Sequence, residues 1–363
     1  MKYSMNLGRP FGIKVSIHWT FLLLIAWVVI VALQQGGDFQ QVVMYVIFIL
    51  ALFVCVTLHE FGHSLAARRY GIETKSITLL PIGRMANIKG MPEKPREEII
   101  VTLSGLIVNV VIAGLIWGII ATTGSIDMDM QFEKITAKNF FLLLMVTNLF
   151  IVAFNLIPAF PMDGGRILRA ALSLKMNRRK ATRAASITGQ FFGIVFTIGG
   201  LFINPFLVII GIFVFLGARA EYEQEKYKYI LGGYKVTDVM MHDFSKFNKN
   251  DQLKDVVKTL LDSQEEGFVV VENGEEVAGL LTKDDIISGL SKYGEEGKVE
   301  DAMNATFESL DPGMDLQKAL GKMQFNKYKF LPVTDSGKLK GVVDLNNIQE
   351  FVMVKSALKG SEE

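Results

Sequence analysis

The chain has 363 residues, half of them apolar and 21% charged, with Cys55 as its single cysteine. That composition excludes a disordered chain, a collagen-like chain and a disulfide scaffold. Residues 1–220 carry 20 Lys and Arg against 10 Asp and Glu, whereas 221–363 carry 18 Lys, no Arg and 27 acidic residues. The first part, with its long apolar runs, belongs in hydrocarbon and the second in water. The positive charge is spread over segments that flank the apolar runs instead of forming a basic stripe, which argues against a nucleic-acid partner.

Crossing about 30 Å of hydrocarbon takes roughly 20 helical residues. Six candidate spans precede residue 220, at 17–33, 42–67, 99–123, 140–159, 187–203 and 206–218, the last two being short. Gln34, Gln35 and Gly36 follow the first run where a cleavage site would need small residues, so it reads as a retained anchor. Lys and Arg cluster in 68–96 and 166–183, while Asp127 and Asp129 make the intervening loop acidic. Both basic clusters, and with six crossings both termini, are expected in the cytoplasm of a multi-pass cell-membrane protein.

Span two contains His59, Glu60, Phe61, Gly62 and His63. Two His at i and i+4 lie on one helix face and suit a single metal ion. The intervening Glu60 can take a proton from metal-bound water, as in zinc-dependent peptide hydrolysis. Ionisable groups inside hydrocarbon each cost on the order of 2.5–3.5 kcal/mol even on lenient scales, so three within two turns point to function. The plainer alternative is a His pair satisfied by hydrogen bonds inside a helix bundle.

A catalytic zinc takes three protein ligands and leaves one position open. Span four ends in Asn155, then Pro158, Pro161, Asp163, Gly164 and Gly165. Two prolines interrupt the helical ladder where the acid appears, and broken backbone at membrane depth must be buried in protein or line a wet cavity. Asp163 is therefore the candidate third ligand, with Gly164 and Gly165 allowing a close turn that aims its carboxylate inward. A helix-terminating acid is the alternative. The Asn155 amide can donate to a developing oxyanion; an interhelical hydrogen bond, as expected for Asn109 and Asn148, is the other reading.

These segments together resemble the site-2 protease family of intramembrane zinc metalloproteases: 59–63 matches its HExxH helix and 155–165 its N-x-x-P-x-x-P-x-D-G-G segment. The resemblance covers about 220 residues. It implies His59, His63 and Asp163 as ligands of one Zn2+ per chain, Glu60 as general base and acid, and Asn155 as a substrate or transition-state contact. Segment 79–86 is similar to the family's glycine-glycine strand loop, with Arg84 in place of the second glycine, and 104–109 to its A-G-P-x-x-N segment, with Leu106 in place of proline. Read from the residues alone, 74–87 suggests a short hairpin whose edge could hold an unwound substrate by strand addition. An ordinary juxtamembrane loop lying against anionic head groups is the alternative.

The acidic half repeats itself. Segment 236–240 (VTDVM) matches 299–303 (VEDAM), 268–271 (FVVV) matches 330–333 (FLPV), and 279–286 (GLLTKDDI) matches 341–348 (GVVDLNNI). Each copy reads as helix, strand, turn, strand and helix. This resembles a tandem pair of CBS domains, modules that pair with one another and often bind adenine nucleotides. The resemblance implies ATP or AMP held at Thr282 and Asp285, whose counterparts are Asp344 and Asn347, and a homodimer or higher oligomer through the paired modules. A hydroxyl and a carboxylate at that spacing also make an ordinary helix N-cap.

The expected fold is a polytopic α-helical membrane domain of about six transmembrane helices plus cytoplasmic α/β tandem CBS domains. The expected boundaries are 1–220 for the membrane metalloprotease domain, 221–235 for a linker, and 236–291 and 299–355 for the two CBS domains. The expected activity is cleavage of the transmembrane segment of a single-pass membrane protein in the lipid bilayer, adjusted by adenine nucleotide. A nucleotide-gated ion or metal transporter is the alternative, since His, Glu and Asp also line pores.

Overall fold

The computed structural model describes residues 4–80, 83–88, 91–123, 134–263, 265–274 and 276–360. Asp127 and Asp129, and Pro81 and Ile82 of the strand loop, lie outside the described residues. The chain divides into two compact units, Met1–Glu223 and Gln224–Glu363.

Among the described residues the first unit holds seven α-helices: α1 (Thr20–Gln34), α2 (Phe39–Arg68), α3 (Pro95–Thr123), α4 (Phe140–Leu156), α5 (Asp163–Ser173), α6 (Arg178–Ile203) and α7 (Pro205–Leu231), whose last residues belong to the second unit. Four of them, α2, α3, α6 and α7, are long and apolar enough to cross a membrane; α1 and α4 are equally apolar but shorter. Exposed Leu22, Leu115, Phe150 and Phe202 give these helices an outward apolar surface suited to lipid. Local chemistry sets the helix ends. Asp38 caps α2 by accepting from the Gln41 amide at 2.8 Å, Pro95 opens α3 with Glu97 and Glu98 in its first turn, and Asn177 caps α6 by accepting from the Lys180 amide.

Three expectations change. The first apolar run begins as strand, not helix: β1 (Ser4–Gly8) and β2 (Lys14–His18) pair antiparallel, β2 pairs in parallel with β3 (Thr74–Leu80), and β3 pairs antiparallel with β4 (Gly83–Ile88). The hairpin expected after the metal helix is thus one half of a four-stranded sheet in the order β1-β2-β3-β4. The basic segment after span four folds into α5 and the start of α6. Helix α6 extends nine residues before the apolar run expected at 187, its Arg and Lys lying at the polar end.

In the second unit β5 (Lys246–Asn248), β6 (Gly267–Glu272), β7 (Glu276–Thr282), β8 (Phe330–Asp335) and β9 (Lys338–Asp344) form one sheet in the order β5-β6-β7-β9-β8. Helices α8 (Leu253–Asp262) and α9 (Lys283–Tyr293) flank the first hairpin, α10 (Val299–Ala302) opens the second copy, and α11 (Leu316–Asn326) and α12 (Leu345–Gly360) flank the second hairpin. The second hairpin, where Asp335 pairs with Lys338, turns through two residues of positive φ, Ser336-Gly337, the combination a tight primed turn requires; Asn273 and Gly274, after β6, also have positive φ. One core cluster joins the copies, running from Val269 and Leu280 to Leu331, Val343 and Ile348.

Candidate metal centre

His59 and His63 lie one helical turn apart on α2, and Asp163 is the first residue of α5. The structure brings all three together: His59 Nε2 is 3.0 Å from His63 Nε2, and Asp163 Oδ2 is 3.2 Å from the former and 3.1 Å from the latter. All three side chains are buried. The two imidazole rings stand 4.6 Å apart at 89°, so their Nε2 atoms converge while the rings avoid each other.

The hydrogen bonds define what this cluster can bind. His63 Nδ1 lies 2.8 Å from the Val101 carbonyl oxygen on α3. A carbonyl only accepts, so the proton sits on Nδ1 and the Nε2 lone pair faces His59 and Asp163. This is the outer partnership that metal-bound imidazoles use to fix tautomer and ring orientation. Three electron-pair donors then converge, and their mutual spacings approach the roughly 3.3 Å separating ligand atoms held at about 2.0–2.1 Å by a tetrahedral ion. Two neutral imidazoles and one carboxylate carry net −1, which suits a dication. The residues present fit zinc.

Glycines let the backbones approach this closely. A Cβ on Gly62 would lie 2.8 Å from the Ser104 carbonyl oxygen, and one on Gly105 would lie 2.9 Å from His63 Cδ2 and closer still to Cε1 and Nε2. Helices α2 and α3 therefore pack glycine to glycine. Gly164 and Gly165 have helical backbone and make no special turn: a Cβ on either would run into the backbone of 156–160. Their role is close approach of α5 to the irregular segment before it, a correction to the expected turn.

Glu60 is buried beside His59. Asn155 Nδ2 donates to the Ile151 carbonyl at 3.0 Å, within its own helix. Asn148 likewise donates within its helix, to Leu144, and Asn109 has no hydrogen-bond partner among the described residues, so neither makes the interhelical bond expected of it. In the second unit Thr282 and Asp285 form a reciprocal cap on α9: Thr282 Oγ1 accepts from the Asp285 amide at 3.2 Å and Asp285 Oδ2 from the Thr282 amide at 3.0 Å. A cavity of 630 Å³ lies at the second copy's equivalent turn, lined by Met241, Glu265, Asp344, Asn347, Glu350 and Met353 among others.

Sequence reasoning missed the Val101 carbonyl, the Gly105 contact, and a buried ion cluster of Glu98, Arg169, Arg178 and Glu221. A main-chain carbonyl leaves no signal in sequence; Gly105 left one, in the segment 104–109.

The model of peptidase family M50 matches residues 47–134 and 118–200, and the CBS domain model matches 236–292 and 299–354. The zinc metalloprotease MJ0392 of Methanocaldococcus jannaschii is 32% identical over 365 residues, covering 99% of this chain and all of that one. The solved site-2 protease from Methanocaldococcus jannaschii, also 32% identical, covers 61% of this chain and 95% of its own with a TM-score of 0.46. Stage IV sporulation protein FB of Bacillus subtilis is 26% identical over 186 residues, 50% of this chain and 61% of that one. The chain thus belongs to peptidase family M50, as a membrane zinc metalloprotease of the site-2 protease kind that carries a tandem pair of CBS domains.

Proposed function

We propose that the protein is an intramembrane endopeptidase that cuts the transmembrane segment of a single-pass membrane protein, with His59, His63 and Asp163 holding one zinc ion. The observation that carries this reading is the convergence of three buried electron-pair donors, 3.0–3.2 Å apart, with Glu60 next to the first of them. A zinc ion bound there supplies Lewis acidity toward water and the scissile carbonyl. Glu60 takes the proton of the attacking water and returns it to the leaving nitrogen. The Asn155 amide donates to the carbonyl oxygen as negative charge develops on it. The substrate helix must unwind before attack, and β4, the last strand in its sheet, offers an edge along which an extended peptide can pair.

By the positive-inside rule the basic clusters favour a cytoplasmic side for both termini. The CBS pair binds an adenine nucleotide and adjusts cleavage, through Thr282 and Asp285 at the start of α9, and joins copies of the chain into a homodimer or larger assembly. The cavity beside Asp344 and Asn347 offers a second place for such a ligand.

The test is Glu60→Gln in the full-length protein, assayed on membrane-anchored substrates with product masses determined. The variant should retain one zinc per chain and lose cleavage. Full cleavage by it would remove Glu60 from the mechanism, and metal flux into proteoliposomes without any cleavage would replace the protease reading by a transporter.

A further inference from the structure

Arg169 sits on α5, six residues after Asp163, and is almost wholly buried. Its Nε donates to Glu98 Oε1 at 2.9 Å, its Nη2 pairs with the same oxygen, and its Nη1 donates to Glu221 Oε1 on α7 at 3.1 Å. Glu98, fully buried in the first turn of α3, uses its other oxygen to accept from Arg178 Nη1 on α6 at 2.8 Å. Glu98, Arg169, Arg178 and Glu221 thus tie four helices together. The Arg169 guanidinium also lies 5.1 Å from the centre of the buried Phe160 ring. Phe160 belongs to the irregular segment against which Gly165 packs, so this contact links a residue before Asp163 to one after it.

Helix α5 has no side-chain N-cap: Met162 precedes it and makes no capping bond. Its orientation, and with it the direction of the Asp163 carboxylate, must be set by packing and by Arg169. A guanidinium suits that role because its fork is planar and its geometry fixed, where an ammonium is a single rotating point charge. Glu98, Val101 and Gly105 follow one another at i, i+3 and i+7 and so lie along one stripe of α3. Glu98 holds Arg169, while Val101 accepts from His63 and Gly105 packs against its ring. One stripe therefore locates both the His63 imidazole and, through Arg169, the helix that starts with Asp163.

We infer that Arg169, braced by Glu98, is a positioning residue that sets Asp163 at ligand distance from the histidine pair. This rests on the reading of Asp163 as a zinc ligand. The experiment measures zinc affinity of the full-length detergent-purified protein by competition with a chromophoric chelator, alongside thermal unfolding of the metal-free protein. Arg169→Met should weaken zinc binding, with the about 10–100-fold cost of losing a group bonded directly to a ligand as its upper bound, because Arg169 acts on Asp163 through the placement of α5. Arg169→Lys, which keeps the charge and loses the fork, should fall between it and the wild type, with kcat reduced and KM unchanged. Loss of Arg169 takes from the buried Glu98 carboxylate one of its two guanidinium partners, so the Lys variant carries the test if the Met variant does not fold. Leu144→Ala, in the separate apolar cluster that α4 forms with α2 and α3, should lower the unfolding temperature and leave zinc affinity unchanged. Asp163→Asn separates the two readings: if it loses zinc while Arg169→Lys and Arg169→Met bind zinc within twofold of wild type, the positioning role is overturned. If Asp163→Asn itself binds zinc normally, the ligand assignment beneath it fails instead.

Discussion

Replacing Gly105 by alanine adds one methyl group to α3 where the His63 ring already lies. The new carbon would stand 2.9 Å from Cδ2 and nearer still to Cε1 and Nε2, against an optimum of about 3.5–4.0 Å for such contacts, so ring and methyl must separate by about 1 Å. Two movements can provide that separation. The ring can turn away, which takes Nε2 out of line with His59 and Asp163, or α2 and α3 can part, which stretches the 2.8 Å bond from His63 Nδ1 to Val101 beyond hydrogen-bonding range. Both exceed the roughly 0.5 Å within which a catalytic constellation must be held. Zinc affinity should fall about 10–100-fold and the cleavage rate by on the order of 100-fold. Overpacking costs about 1–3 kcal/mol, partly offset by the 0.5–1 kcal/mol that alanine gains over glycine in a helix, so the protein should still fold. Gly114 on the same helix is the control, because a Cβ there meets nothing within 4 Å; Gly114→Ala should bind zinc and cleave as wild type does. Chelator competition and a cleavage assay on both variants suffice. A Gly105→Ala protein with zinc affinity and turnover within threefold of wild type would refute the argument that this glycine seats the imidazole.

Asn155→Ala should retain zinc and lower kcat by about 100–1,000-fold, as removal of an oxyanion donor does. Turnover within twofold of wild type would leave the amide with only its bond to Ile151. Thr282→Ala removes one half of the reciprocal cap on α9 and should destabilise the second unit by about 1 kcal/mol, read from urea unfolding. If Thr282 also contacts ribose, calorimetry on the full chain should show weaker ATP or AMP binding, whereas unchanged binding would limit the residue to its cap.

The parts of the site that were legible in sequence are those where chemistry sits in side chains at a local spacing. His59 and His63 announce themselves because i and i+4 share a helix face, and Asp163 because two prolines break a helix where an acid would otherwise be costly. The parts that were not legible depend on contacts distant in sequence. Strand β2 blends into the apolar run that follows it, and only its parallel pairing with β3, some sixty residues later, gives it away as strand. Glu98 and Arg169 are separated by 71 residues and sit in segments that by composition alone look like solvated flanks. Hydropathy located the apolar part of α6 but missed its first turns, since a helix continues past hydrocarbon wherever its polar residues find partners. In the second unit the repeat was plain because the same unit occurs twice, yet the cavity lies at the copy whose ribose-type pattern is the poorer match.

The measurement that bears most directly on the whole account is zinc-edge X-ray absorption on the purified protein, with metal content counted for wild type, His59→Ala, His63→Ala and Asp163→Asn. One zinc per chain, with nitrogen and oxygen neighbours at about 2.0–2.2 Å and loss of metal in each of the three variants, is the expected result. A stoichiometric zinc that survives in all three variants, or one surrounded by sulfur, would contradict it.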